Sequence, residues 1–155
     1  MFSKELKQLL SKREFISVAT CDAAGQPNAA PKFFLKIEDN HIYLIDYAMG
    51  RTWHNLKTNP RISMSFMDTE SLIGYQINGV AEIIDKGLEF EEILKQLLAK
   101  QVSLSTKRVI EGISTGKKHT NFEVEITEKF VILKIKAAEI VEIGPRGEIK
   151  REKTL

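Results

Sequence analysis

The chain has little cysteine and no long apolar run. Cys21 is the only cysteine among 155 residues, so no disulfide can form within the chain, and this usage is typical of a reducing cytoplasm. No apolar stretch approaches the roughly 18 residues that a membrane helix needs. The N-terminal sequence MFSKELKQLLSKREF is charged throughout and lacks the apolar core of a signal peptide. We therefore expect a cytoplasmic protein that does not act in a membrane.

The chain also lacks an excess of charge of either sign. The 23 basic and 21 acidic residues leave a net charge of +2, which does not favour nucleic acid as a partner. His41, His54 and His119 lie far apart and lack the spacing of metal ligands, so we expect no metal site. With 43% hydrophobic and 28% charged residues, the composition is that of a globular protein. The length suits one domain, which we assign to residues 1–143, followed by a polar, loosely held tail at 144–155.

Hydrophobic periodicity predicts the order of helices and strands. Apolar residues at helical spacing, after a capping Ser3, predict a short helix over 3–10, and a second such pattern predicts a helix over 88–101. Between them, β-rich runs bounded by turn residues predict five strands, at 15–20, 30–37, 41–47, 61–67 and 72–84. For 103–121 we expect a broken helix and a loop, and for 129–143 a further strand. Two glycines in the run 72–84 indicate a bend or a close backbone contact.

This order favours a mainly β fold. Strands and helices do not alternate along the chain, so a parallel doubly wound sheet is not expected. Many short antiparallel strands joined by hairpins are typical of a small β-barrel with flanking helices.

The stretch YAMGRTWHNLKTNPRI, residues 47–62, places Gly50, Arg51 and Thr52 at the start of a short predicted helix that ends before Pro60. A helix N-terminus exposes unpaired backbone N–H groups, and a phosphate fits there. Arg51 adds a permanent charge with a bidentate fork, and Thr52 adds a hydroxyl. Two interpretations remain open: an anion-binding site, or a plain connector with a solvated arginine.

The strand PKFFLK, residues 31–36, is a candidate to hold the body of such a ligand. Lys32 and Phe34 share one face of the strand, and Phe33 and Leu35 share the other. A flat ring would lie on the strand backbone with Lys32 near its edge. The alternative is a core strand whose lysine lies on the rim.

Taken together, these motifs resemble the FMN-binding split-barrel family related to pyridoxamine 5′-phosphate oxidase. The shared course is a strand ending in Ala-Thr, a D-x-x-G-x-P turn, a strand pair, a Gly-Arg-Thr segment and an N-P-R-I-S segment. The resemblance covers about residues 5–84 and, more weakly, 129–143. It implies an antiparallel, Greek-key-like barrel and a homodimer with FMN at the subunit interface.

The resemblance also implies which residues contact FMN. The phosphate contacts would be Arg51 and Thr52, with Gly50 beside them. Thr52 and Asn55 make the chain more similar to the small FMN-binding electron-transfer proteins than to the oxidases, which carry Lys after that Arg. The ring would be lined by two neighbouring strands and approached from a third; these residues are Lys32, Phe33, Phe34, Asp46, Tyr47 and Gln76.

For function, the resemblance implies an FMN-dependent oxidoreductase acting on a small molecule or with a redox-protein electron donor. The alternative is a non-enzymatic FMN-binding electron-transfer protein. True pyridoxamine phosphate oxidase activity is not expected, because the oxidases use a C-terminal Trp and Arg and this tail, GPRGEIKREKTL, has no aromatic residue. The family also includes deazaflavin-dependent and haem-handling members, so the fold alone does not fix the reaction.

Overall fold

The computed structural model describes residues 2–116 and 129–154. The chain forms two compact units, Met1–Ile84 with Phe130–Leu155, and Asp85–Lys129. Within the described ranges, no helix is long and apolar enough to cross a membrane.

The first unit is built mainly of strands. Two short helices, α1 (Lys4–Ser11) and α2 (Arg51–Thr58), lie before and among them. The strands are β1 (Phe15–Cys21), β2 (Pro27–Glu38), β3 (His41–Asp46), β4 (Arg61–Asp68), β5 (Ile73–Ile84), β6 (Val131–Ile143) and β7 (Ile149–Lys153). The two helices and the first five strands confirm the sequence prediction to within about three residues at each end, the usual uncertainty of a boundary.

Six of these strands close into an antiparallel barrel. They follow the order β3-β2-β1-β4-β5-β6, and β6 pairs back onto β3, from His41 opposite Lys136 to Asp46 opposite Val131. Closure leaves none of the six with a fully open edge, and β7 extends the sheet from β6 outside the ring. The predicted mainly β barrel with flanking helices is confirmed.

The barrel interior holds the hydrophobic core. Alternate residues of each strand point inward, among them Ile16 and Val18 of β1, which are almost completely buried. Helix α1 adds Leu6 and Leu10 to the same core, and its Ser3 cap accepts a hydrogen bond from the Leu6 N–H at 3.1 Å. Burial of one such leucine contributes about 1.5–3 kcal/mol, so α1 is held mainly by these contacts.

Gly79 marks an irregularity in the pairing of β5 with β6. The register shifts between Asn78 and Gly79, and a Cβ at position 79 would lie 2.4 Å from the carbonyl oxygen of Lys136. Gly74, earlier in β5, has room for a side chain. A Cβ built there would lie 3.6 Å from the Ile143 side chain, which is an ordinary van der Waals distance. The predicted close backbone contact is thus confirmed at Gly79.

We expect Gly79→Ala to lower the unfolding free energy by about 1–3 kcal/mol, the range for overpacking. A backbone carbonyl cannot move aside as a flexible side chain does, so β5 and β6 must separate locally. Gly74→Ala is the matched control and should be neutral or slightly stabilising. Urea unfolding of both variants measures the difference, and equal stabilities would show that the bulge does not require glycine.

The second unit contains one long helix, α3 (Leu88–Thr115). The prediction of a helix broken from residue 103 is wrong, because the helix continues to Thr115 and ends at the left-handed Gly116, with φ of 67°. Serine and threonine hydroxyls of this stretch bond to carbonyls of the same helix. Thr106 Oγ1 donates to the Val102 carbonyl and Ser114 Oγ to that of Glu111. The part of the predicted loop at 117–121 lies outside the described residues.

The C-terminal segment is more ordered than expected. The sequence predicts a loosely held tail, but β7 pairs with β6. The pairing runs from Ile143 opposite Ile149 to Glu139 opposite Lys153. A tight turn makes this hairpin possible, since the Gly144 N–H donates to the Glu148 carbonyl and Gly147 takes a positive φ of 86°. The prediction overlooked the glycine pair as a hairpin signal.

Candidate cofactor-binding site

The start of α2 is held by a tight turn after β3. β3 ends at Asp46, Met49 adopts a left-handed conformation with φ of 47°, and Gly50 precedes the first helical residue, Arg51. No side chain caps this N-terminus. The N–H groups of the first helical turn are therefore available to an anion, as the sequence predicts.

Two side-chain hydrogen bonds fix α2 against the β1–β2 hairpin. The buried Asn55 amide donates to Thr20 Oγ1 of β1 at 3.0 Å. The Asn28 amide of β2 donates to Thr52 Oγ1 at 3.2 Å. Because the Thr52 hydroxyl accepts that bond, its own proton remains to be donated elsewhere. Asn55 and Thr52 are thus 7% and 1% exposed, and Asn55 supports the helix rather than standing open to a ligand.

A hollow of about 310 Å³ lies beside the helix start. Arg51, Asn28, Asn55 and His54 line it, together with Asp22, Gln26 and Pro27 from the turn before β2. Arg51 is exposed and brings the fixed positive charge. The Asp22 carboxylate belongs to its own loop, where Oδ1 accepts from the N–H groups of Ala24 and Gln26. Gly50 and Thr52 adjoin the hollow along the chain without lining it.

Lys32 and Asp46 meet inside the barrel. Lys32 Nζ lies 2.8 Å from Asp46 Oδ1, and the two side chains are 5% and 0% exposed. The same oxygen accepts from the N–H groups of Ala48 and Met49, both at 3.1 Å. Lys32 is therefore not on the rim of the strand. Contact of Lys32 or Asp46 with a bound ring stays a prediction, and the burial of both side chains does not favour it.

The predicted aromatic residues divide between the two sides of the sheet. Phe34 points into the core, and its N–H donates to the Glu14 carbonyl at 2.8 Å. Phe33 points outward, where its ring meets those of Phe15 and Tyr47 at centroid distances of 5.9 and 6.3 Å. Phe33 and Tyr47 are thus brought together, and Phe34 is separated from them by the sheet.

Gln76 belongs to a polar row on the outer surface of β4, β5 and β6. Its amide donates to Ser63 Oγ at 3.3 Å and to Asn78 Oδ1 at 3.2 Å. The Asn78 amide in turn donates to Glu139 Oε2 at 2.8 Å. None of these bonds joins Gln76 to Arg51, Phe33 or Tyr47, so its approach to a ring stays a prediction.

Three residues of the site region are not among those predicted from the sequence, namely Thr20, Asn28 and His54. Thr20 and Asn28 lie opposite each other in the β1–β2 register, at the end of the hairpin nearest α2. The hairpin turn D-A-A-G-Q-P was a readable signal for that register, whereas the contact with a helix some 25 residues later was not. Among residues 2–116 and 129–154, no group of His, Cys, Asp or Glu side chains is arranged to hold a metal ion.

Similarity to known proteins identifies the family of the chain. The family model of pyridoxamine 5′-phosphate oxidase matches residues 2–143. The chain belongs to this family. The resemblance drawn from the sequence motifs is confirmed.

Among curated proteins, the chain is similar to the heme oxygenase HutZ of Vibrio cholerae. The two are 30% identical over 67 residues, which is 43% of this chain and 38% of HutZ. The matched stretch thus spans well under half the length of this curated relative.

Solved structures share the fold over nearly the whole chain. HupZ of Group A Streptococcus is 25% identical with a TM-score of 0.65, covering 93% of this chain and 95% of that one. An FMN-binding, pyridoxamine 5′-phosphate oxidase-related protein of Nostoc punctiforme is 12% identical with a TM-score of 0.59, covering 96% and 91%. The crystal structure described as HutZ, the heme storage protein of Vibrio cholerae, is 18% identical with a TM-score of 0.60. The match covers 86% of this chain and 87% of that one. The barrel is therefore the split barrel of this family.

Proposed function

We propose that the protein binds FMN, with the phosphate held at the N-terminus of α2. One observation carries the proposal: the exposed Arg51 lies at an uncapped helix start and lines a hollow that the Asn28 side chain also lines. Backbone N–H groups and a helix dipole favour a dianion there, and the arginine fork adds charge-assisted hydrogen bonds.

The donor set fits a phosphate. Gly50 has open space around its backbone, since a Cβ built there would meet nothing within 4 Å, so a ligand can approach closely. Direct donation by the Thr52 hydroxyl, whose oxygen accepts from Asn28, stays a prediction, since this side chain is 1% exposed and does not line the hollow. The Asp22 carboxylate opposes an anion, but its Oδ1 is engaged by two backbone N–H groups of its own loop.

The outer face of the sheet next to this hairpin is suited to a flat group. In the half of paired β1 and β2 nearest their hairpin turn, the outward side chains are small and exposed, namely Ser17, Ala19, Ala29 and Pro31. Bound FMN would supply hydride or electron transfer, and the chain would supply binding, orientation and the surrounding charges. We favour a flavin-dependent oxidoreductase, and the alternative is an electron-transfer protein that meets a redox partner.

Haem is a second candidate ligand, favoured by the similarity to HutZ, whose name describes a heme oxygenase. Haem carries two carboxylates, which Arg51 would also attract, and His54 lines the same hollow. Hemin titration distinguishes the candidates. Haem binding at this hollow requires a visible absorption change that His54→Ala alters.

Oxidation of pyridoxamine phosphate itself is not part of the proposal. That reaction needs a second, fixed phosphate site over the flavin. Arg146 and Arg151 are exposed in the C-terminal segment, and Arg151 lies 3.6 Å from Glu139. Unlike Arg51, neither lies at a helix N-terminus, and exposed charges without such backbone N–H groups beside them are screened by solvent and salt and do not fix a substrate in place.

We predict that FMN binds at least about tenfold more tightly than riboflavin, the equivalent of one hydrogen bond to a charged group. Quenching of flavin fluorescence during titration of purified protein measures both affinities, and the only chemical difference between the ligands is the phosphate. Equal affinities would reject the phosphate site. Binding of hemin with no binding of either flavin would move the assignment to haem.

We also propose a homodimer with the cofactor at its interface. The small, exposed side chains near the hairpin turn of β1 and β2 leave an outer surface that a second copy can cover. Light scattering at micromolar concentration should give about twice the single-chain mass, with or without FMN. A mass of 17.6 kDa, that of one chain, would contradict this proposal.

A further inference from the structure

The turn that presents Arg51 is tied to an ion pair inside the barrel. Asp46 Oδ1 accepts three hydrogen bonds, from Lys32 Nζ at 2.8 Å and from the Ala48 and Met49 N–H groups at 3.1 Å. Asp46 is completely buried and Lys32 almost so. One carboxylate oxygen thus connects the interior of β2 to the backbone that leads into α2.

The second oxygen of Asp46 adds no hydrogen bond to this arrangement within the described part of the chain. Oδ2 is buried and has no hydrogen-bond partner among the described residues. A buried carboxylate with one unsatisfied oxygen is costly, because both oxygens have lost water. The carboxylate is held in place by the bonds to Oδ1 alone, and two of those three bonds belong to the turn.

The turn has a conformation that needs such support. Met49 lies in the left-handed region with φ of 47°, which is unfavourable for a side chain that is not glycine. Met49 is also partly buried against the core. Its N–H bond to Asp46 therefore fixes the residue that sets the direction of Gly50 and Arg51.

We infer that Lys32 and Asp46 are positioning residues for the phosphate site. Asp46 holds the 46–50 turn, Lys32 neutralises Asp46, and together they set the preference of the site for a phosphate without touching the ligand. This inference rests on the proposed function and assigns these two residues a role other than the direct contact predicted from the sequence. It predicts that phosphate preference depends on the Asp46 acceptor more than on its charge.

Two charge-neutral double variants test this dependence. Lys32→Met/Asp46→Asn keeps an oxygen that accepts from Ala48 and Met49. Lys32→Met/Asp46→Leu has the same branching at Cγ, with two methyl groups and no acceptor. The readout is the ratio of FMN affinity to riboflavin affinity, which a general loss of stability does not change in the folded protein. Lys32→Met/Asp46→Ala replaces the Leu variant if that chain does not fold.

We expect the Asn variant to keep the wild-type ratio within about threefold and the Leu variant to lose at least about tenfold of that ratio. Equal ratios in the two variants would overturn the inference while leaving the proposed function intact. A wild-type ratio near one would reject the phosphate site itself, and the inference with it.

Hydrogen exchange gives a readout that needs no ligand. In the unliganded wild type and in the Asn variant, the Ala48 and Met49 amides should exchange slowly. Exchange at the rate of an unprotected loop in the wild type would overturn the inference, whatever the affinities are.

Discussion

Replacing Lys32 by Met is expected to lower the unfolding free energy by about 3–5 kcal/mol, the range for removal of one partner of a buried ion pair. The change leaves the Asp46 carboxylate buried, with its Oδ2 already unpartnered among the described residues. Two backbone N–H bonds to Oδ1 remain and do not replace a full positive charge at 2.8 Å. Urea unfolding followed by circular dichroism measures the loss.

Lys150→Met is the matched control, because it removes a lysine from an ion pair at the surface. Lys150 Nζ lies 3.4 Å from Glu152, and the two side chains are 69% and 58% exposed. Exposed pairs contribute about 0–1 kcal/mol, so this variant should be close to the wild type. If the Lys32→Met and Lys150→Met variants had equal free energies of unfolding, the buried ion pair would not contribute to the stability of the barrel.

Replacing Arg51 by Ala is expected to weaken FMN binding by about 1.5–3 kcal/mol, or roughly 10- to 150-fold. Arg51 is the charged donor at the helix start, and its side chain is exposed, so its removal should leave the fold intact. Riboflavin affinity should not change. Arg51→Lys should recover only part of the loss, because an ammonium group lacks the bidentate fork.

Lys57→Ala provides the control for loss of charge on the same helix. Lys57 lies in the last turn of α2, where its ammonium group is 3.2 Å from the centre of the Trp53 ring. A general electrostatic attraction would make both variants weaken FMN binding by similar amounts. If the Arg51→Ala variant bound FMN as tightly as the wild type, the phosphate site could not lie at this helix.

The local signals in the sequence were sufficient to predict most of the barrel. The capping Ser3 and the end of α2 before Pro60 are set by bonding and steric rules that act within a few residues, and both are confirmed. Helix α3 shows where such rules fail. Thr106 and Ser114 disfavour helix by intrinsic propensity, yet inside a long helix their hydroxyls bond to carbonyls one turn back.

The site was harder to predict from the sequence than the barrel, because its main contacts join residues that are far apart in the chain. Gly50 and Arg51 could be recognised as a helix start from adjacent letters. The bond from Asn55 to Thr20 spans 35 residues, and the ion pair of Lys32 with Asp46 depends on how β3 ends beside β2. Alternation along β2 placed Lys32 and Phe34 on the same face correctly, but it did not show that this face is the barrel interior.

The most direct test of the central claim is a map of backbone amide shifts of ¹⁵N-labelled protein on titration with FMN and, separately, with riboflavin. The phosphate is the only difference between these ligands, so the difference between the two maps locates it. We predict that this difference is largest at Gly50, Arg51 and Thr52, at the start of α2. Identical maps, or a difference centred on another part of the chain, would contradict the account.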